Sequence, residues 1–231
     1  MTTIEKCYGG IEGSTVTITG GNLDIVADDD GLNSFGGNDA STLDGRPGQD
    51  EFHPQQGVYI KIKGGYITFD TKGDCIDSNG EIYVEGGALL ASVSSNDKTS
   101  GLEANGKVTM LGGTIVVCSR TNMAETYDGS ATHNTLQFYL DRKYKAGTNI
   151  ALTDESSNII ASFTPKHDFS TVIVSAEGIE YDKIYRLYEV NAPSNVDKNG
   201  FVSGKTLSGD NMTKIVETEK ISSVLTVTRM K

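Results

Sequence analysis

The sequence predicts an all-β chain whose first half is a parallel β-helix, a solenoid of short stacked strands. Three observations carry this. Gly-Gly pairs recur at Gly20-Gly21, Gly64-Gly65, Gly86-Gly87 and Gly112-Gly113. Apolar residues alternate at period two on both sides of every pair. A second short motif recurs between the pairs with its own apolar column. The intervals between pairs are 44, 22 and 26 residues. The first contains a polar stretch, Phe35 to Gly57, that reads as an insertion, so the underlying period lies in the range of solenoid repeats.

Aligned on the Gly pairs, Ile18, Ile62, Val84 and Met110 stand two residues before, and Leu23, Ile67, Leu89 and Ile115 two residues after. Two further on stand Ile25, Phe69, Ala91 and Val117. Each column is apolar, which predicts one strand entering a glycine corner and a second leaving it, with these side chains inward. Asp24 and Thr68 fall between them and are expected to face solvent. Stacked copies lie about 4.8 Å apart, so like residues sit above one another.

The second motif reads Gly9-Gly10-Ile11-Glu12-Gly13, Asp30-Gly31-Leu32-Asn33-Ser34, Asp74-Cys75-Ile76-Asp77-Ser78 and Ser100-Gly101-Leu102-Glu103-Ala104. Ile11, Leu32, Ile76 and Leu102 form another inward column. The next position, Glu12, Asn33, Asp77 and Glu103, bears side-chain oxygen throughout and is expected to point outward along one edge.

These coils and the inserted loop at 35–57 make up residues 1–134. Residues 135–231 are a β-rich continuation without Gly pairs, expected to cap the C-terminal end of the solenoid, whose last strand would otherwise expose unpaired backbone. Its strands are expected at Leu136 to Leu140, Ile150 to Leu152, Ile159 to Phe163, Thr171 to Val174, Ile184 to Val190 and Ile221 to Thr228.

Composition supports this class. The 231 residues include 27 Gly, 4 Pro and no Trp, which suits short strands and tight turns. The net charge of -11 argues against nucleic acid and anionic membrane as partners. No run of 18 apolar residues predicts a membrane span, and Met1 to Cys7 lacks an apolar signal-peptide core. Cys7, Cys75 and Cys118 show no CxxC spacing and read as small buried thiols.

Like charges stacked along an edge repel unless something offsets them. Asp28-Asp29-Asp30 precede Asn33, and Asp74 precedes Asp77. The insertion adds Asn38, Asp39, Asp44, Asp50 and Glu51. A hard divalent cation resolves the repulsion, and calcium, with six to eight oxygen ligands, suits an irregular carboxylate and amide site. The candidate ligands are Glu12, Asp28, Asp29, Asp30, Asn33, Asp74 and Asp77. Glu103 is weaker, because its coil carries Ser100 where others carry Asp30 and Asp74. Zinc is a poor candidate, since His53, His133 and His167 are scattered.

At these residues the chain resembles the calcium-containing carbohydrate-binding proteins with a polysaccharide-lyase-like parallel β-helix. YGGIEG, DDDGLN and GDCIDSNG, each beside a Gly-Gly coil, carry the resemblance across roughly residues 7 to 118. The segment from Ala146 to Pro165 looks like that family's C-terminal region. The resemblance implies a right-handed helix, bound Ca2+, a secreted or cell-surface location, and affinity for plant cell-wall polysaccharide such as cellulose or pectin. Cys75 stands where the family motif usually has Gly. Family members carry further coils before the first motif, so further upstream coils, or self-association through the N-terminal end, are expected as partners.

Three functions remain open at this level. The first is a non-catalytic polysaccharide-binding module, with Tyr8, Tyr59, Tyr66 and Tyr83 available to stack on sugar rings. The second is a calcium-dependent, pectate-type lyase, with Lys72 or Lys98 as base. The third is a structural adhesin or spacer. No aligned pattern marks either lysine as a base, so no catalytic residue is assigned.

Overall fold

The computed structural model describes residues 1–35, 53–94, 99–120, 131–191, 195–205 and 211–230. Among the described residues every regular element is a strand, and none is a helix. The loop residues Asn38, Asp39, Asp44, Asp50 and Glu51, and Lys98, lie outside the described residues.

The first half lays strands into three parallel ladders. One ladder holds β1 (Thr2–Cys7), β4 (Asn22–Ala27), β7 (Tyr66–Thr71) and the second halves of β9 (Glu81–Val93) and β11 (Val108–Ser119). A second holds β3 (Thr15–Ile18), β6 (Tyr59–Ile62) and the first halves of β9 and β11. The third holds the short strands β2 (Ile11–Gly13), β5 (Leu32–Ser34), β8 (Ile76–Ser78) and β10 (Leu102–Ala104).

The registers reproduce the alignment made on the Gly pairs. Leu23 pairs with Ile67, Ile67 with Leu89 and Leu89 with Ile115. Ile18, Ile62, Val84 and Met110 are likewise neighbours in turn, as are Ile11, Leu32, Ile76 and Leu102. These columns form one hydrophobic core, with Ile11 and Leu23 at its partly exposed edge. The second glycine of each pair explains the punctuation. Gly21, Gly65, Gly87 and Gly113 all have φ between 85° and 110°. A Cβ on Gly87 would lie 2.7 Å from the carbonyl oxygen of Gly65, and one on Gly113 2.6 Å from that of Gly87. The corner needs both a left-handed backbone and bare space above it.

The second half does more than close an end. β15 (Phe169–Ala176) pairs antiparallel with the free edge of β11, then β12 (Thr135–Tyr144) with β15, and β18 (Leu225–Arg229) adds parallel to β12. A separate antiparallel sheet orders β14 (Ile159–Phe163), β13 (Asn149–Thr153), β16 (Arg186–Val190) and β17 (Met212–Glu217). A second core joins Leu90, Val116 and Cys118 to Leu136, Phe138, Phe163, Phe169 and Leu187. Strand alternation sends Leu89 and Ile115 into the first core and Leu90 and Val116 into the second, so the second halves of β9 and β11 are buried on both faces.

This layer corrects one expectation. Thr68 does not face solvent: it is 3% exposed, and its hydroxyl donates to Asp24 Oδ1. Asp24 is partly covered as well, because Lys198 of the connection between β16 and β17 reaches Asp24 Oδ2 at 2.6 Å. β1 and β17 are strands that the sequence pattern does not mark, and the last strand begins at Leu225, while the preceding Ile221 is buried in the second core.

Candidate metal centre

The third ladder fixes the acidic column. Glu12 pairs with Asn33, Asn33 with Asp77 and Asp77 with Glu103. Isoleucine or leucine one residue earlier anchors each strand in the core, so the pleat sends these four to the other face.

The preceding corners stack by backbone bonds. Gly10 N–H donates to Asp30 O (2.9 Å) and Gly31 N–H to Asp74 O (2.9 Å). A Cβ on Gly31 would lie 2.6 Å from Cys75 O and equally close to the Phe69 ring. At the next corner Cys75 is accommodated instead, its thiol wholly buried beside the Thr71 hydroxyl at 3.3 Å.

This stacking brings Asp29, Asp30, Asn33, Asp74, Asp77 and Glu103 into one electrostatic cluster. Asp30 Oδ1 accepts from the N–H of Asp74 (2.9 Å), and its Oδ2 from Asn33 Nδ2 (3.0 Å). Asp74 Oδ1 accepts in turn from the N–H of Ser100. Burial holds the Asp74 carboxyl well above the usual carboxylate range, and Glu103, in hydrogen-bonding contact, and Asp30 push it the same way. Burial also pushes Asp77 up to about 7, with Asp30, Glu103 and Asp29 adding their repulsion. Glu103, the acid given least weight from sequence, is thus a full member.

Two candidates stand apart. The Asp28 carboxylate is ion-paired to Lys72 at 2.5 Å, with both side chains well exposed. Glu12 is exposed, and its Oε1 lies where a Cβ on Gly9 would be, 1.8 Å from that position.

The donors fit a hard cation in kind. They are all oxygen, and Asn33 Oδ1 is buried with no hydrogen-bond partner, while its amide nitrogen is committed to Asp30. Among the described residues, however, no three His, Cys, Asp or Glu side chains are grouped to hold a metal by themselves. A calcium shell here would draw on the Asn33 amide oxygen and on backbone or water oxygens as well as on Asp30, Asp74 and Asp77.

The other sequence candidates disperse. Lys72 belongs to Asp28. Tyr59 and Tyr83 flank the Lys61 ammonium at 5.8 and 5.0 Å, and Tyr8 is 60% exposed. Tyr66 is half-buried against Phe201.

One polar cluster escapes sequence reasoning. Asp70 Oδ1 lies 2.6 Å from His167 Nε2, and Lys166 Nζ is 3.5 Å from Asp70 Oδ2. Ser92, beside Asp70 in the ladder, accepts from the backbone N–H of both Lys166 and His167. The hydroxyl is engaged as a structural acceptor, so the group is an anchor for the turn before β15. It spans 97 residues of sequence between Asp70 and His167, beyond any local motif. Searches against family models, curated proteins and solved structures find no match to this chain.

Proposed function

We propose that this chain is a calcium-binding, non-catalytic polysaccharide-binding module of the secreted or cell-surface kind, its parallel ladders forming coils of a right-handed parallel β-helix. The reading rests on the resemblance to calcium-containing carbohydrate-binding proteins. One observation supports it most: Asn33, Asp77 and Glu103 stand in register beside the half-buried Asp30 and the buried Asp74, with an unpartnered amide oxygen among them. Burial and mutual repulsion leave this cluster short of positive charge.

Asp30 and Asn33 orient one another, and the backbone N–H groups of Asp74 and Ser100 hold two carboxylates in place. The site is thereby organised before any ligand arrives. Bound calcium would supply charge that both these carboxylates and the uronates of a pectic polymer can share. An acidic chain of charge -11 repels such a polymer without a cation. Of the two lysines considered as base, Lys72 is ion-paired to Asp28 and Lys98 lies outside the described residues, so the binding reading, which needs no base, stands first. The outer edges of β1, β2 and β3 carry no further strand among the described residues, which suits more coils or a second copy there.

Affinity electrophoresis through polygalacturonate, with calcium and with EDTA, together with retention on cellulose, tests this reading. Retardation that needs calcium, or retention on cellulose, is expected. Unchanged mobility in both gels and no retention on cellulose would leave a structural role, and an absorbing unsaturated product would indicate a lyase.

A further inference from the structure

The two halves meet through two different chemistries on one face. On the outer side of the first ladder the registers run Asp24, Thr68, Leu90, Val116 in one row and Asp70, Ser92, Cys118 in the next. At the β9 and β11 end, Leu90, Val116 and Cys118 belong to the second core. At the β4 and β7 end the same rows carry Asp24, Thr68 and Asp70, and the contact there is polar.

The C-terminal half brings cations to those carboxylates. Lys198 Nζ reaches Asp24 Oδ2 at 2.6 Å. His167 Nε2 lies 2.6 Å from Asp70 Oδ1, and Lys166 Nζ 3.5 Å from Asp70 Oδ2. Tyr66 donates its hydroxyl proton to Asp197. The backbone N–H groups of Lys166 and His167 cross the junction to Ser92 Oγ, at 2.8 and 3.1 Å.

Charge is divided along the same line. Residues 1–134 hold 19 Asp and Glu against 8 Lys and Arg, and residues 135–231 hold 12 of each, so the whole net charge of -11 lies in the first half. The long-range field therefore draws the neutral half's cations toward the coils, and salt weakens that draw. The Asp24 and Asp70 side chains are 19% and 23% exposed, while Lys198 and Lys166 are 59% and 47% exposed, so counterions reach the cationic side directly. Apolar contact is not screened in this way, because it depends on the area removed from water.

We infer that the junction over β4 and β7 is a salt-sensitive seam, which opens locally as ionic strength rises while the apolar contact over β9 and β11 stays closed. Such opening is sub-global: one edge of the C-terminal half lifts, and its core remains intact. Access to the outer face of β4 and β7 thereby becomes a function of ionic strength. The seam joins parts of this chain alone and is independent of calcium and of any polysaccharide.

Amide hydrogen exchange of Lys166 and His167, followed by NMR on the full chain in EDTA, tests it. Between about 0.1 M and about 1 M sodium chloride the Debye length falls from about 10 to about 3 Å. Both amides should exchange about fivefold faster in the higher salt, the effect expected of a few partly exposed pairs acting together. Amides in the β11–β15 pairing should not accelerate. Lys198→Met alters an exposed side chain bonded to Asp24, one strand away from Asp70. It should leave the melting curve unchanged, raise the exchange of Lys166 and His167 in low salt and flatten their salt response. Wild-type exchange at these two amides that ignores salt would overturn the seam. So would acceleration shared equally with the β11–β15 amides, or a Lys198→Met variant with wild-type exchange at both salts.

Discussion

The carboxylate of Asp30 accepts a hydrogen bond from the backbone N–H of Asp74, 2.9 Å away across 44 residues of sequence. The relation repeats one ladder step on, where Asp74 accepts from the N–H of Ser100. Each acidic corner therefore holds the next in place. The carboxylates are part of the stacking as well as candidate ligands, so substitutions among them must be read on two scales, stability and metal response.

Asp30→Ala strands the Asp74 N–H and the Asn33 amide, and an unsatisfied buried donor costs about 1–3 kcal/mol. Asp30→Asn keeps an acceptor and removes a charge that repels Asp74 and Asp77. Urea denaturation in EDTA should therefore show the larger loss for alanine. Equal losses would mean that the hydrogen bonds contribute little.

Metal-free stability should decline as pH rises. Asp77 sits near 7 and Asp74 higher, against an ordinary value of 3.8, so the folded state binds these protons more tightly than the unfolded chain does. Their stabilising contribution is complete below pH 3.8 and is lost as pH climbs through about 7 and beyond. Asp70 acts in the opposite direction: its bond to His167, with Lys166 near, lowers its carboxyl, and that stability is lost only as pH falls below its ordinary value. Melting temperatures in EDTA should peak at mildly acidic pH. A curve rising steadily to pH 8 would contradict the burial of the acidic cluster.

Calcium should reverse this decline with rising pH. A ligand bound only by the folded state adds about 2.7 kcal/mol at a hundredfold excess over Kd. At a pH above 7, where Asp77 is ionised, Asp77→Asn should stabilise the protein in EDTA by removing a half-buried repelling charge, yet reduce the calcium-induced rise in melting temperature. If the variant responds to calcium as wild type does, Asp77 is not a ligand.

The glycine corner supplies an internal control. Gly87→Ala places a Cβ 2.7 Å from Gly65 O at φ 94°, while a Cβ on Gly20 meets nothing within 4 Å. Left-handed backbone in a non-glycine residue alone costs about 1–3 kcal/mol. Chemical denaturation should show Gly87→Ala losing at least that much and Gly20→Ala changing little.

The columns through Ile67 and Phe69 were legible because parallel stacking repeats one pattern at each step, and an alignment on glycines then becomes a spatial register. What alternation alone does not disclose is whether the opposite face is wet. Thr68 and Ser92 are both buried, and Ser92 is capped by chain that returns 74 residues later. A signal was present: Ala88–Val93 and Thr114–Cys118 are almost continuously apolar, as strands buried on both faces require. In the acidic column, position could be read from the repeat. The division of labour could not, because whether Asp28 meets Lys72 or Asp77 depends on side-chain direction at a turn.

Two of the three free cysteines lie one in each core, Cys75 among the ladder columns and Cys118 under the second sheet, both fully enclosed. Burial also holds each thiol far from its reactive thiolate form. They are thus two clocks set into separate compartments. Under mild denaturant, the rate at which each sulfur takes up an alkylating reagent times the opening of its own compartment, and mass spectrometry of the two peptides distinguishes a chain that opens all at once from one that sheds its outer layer first.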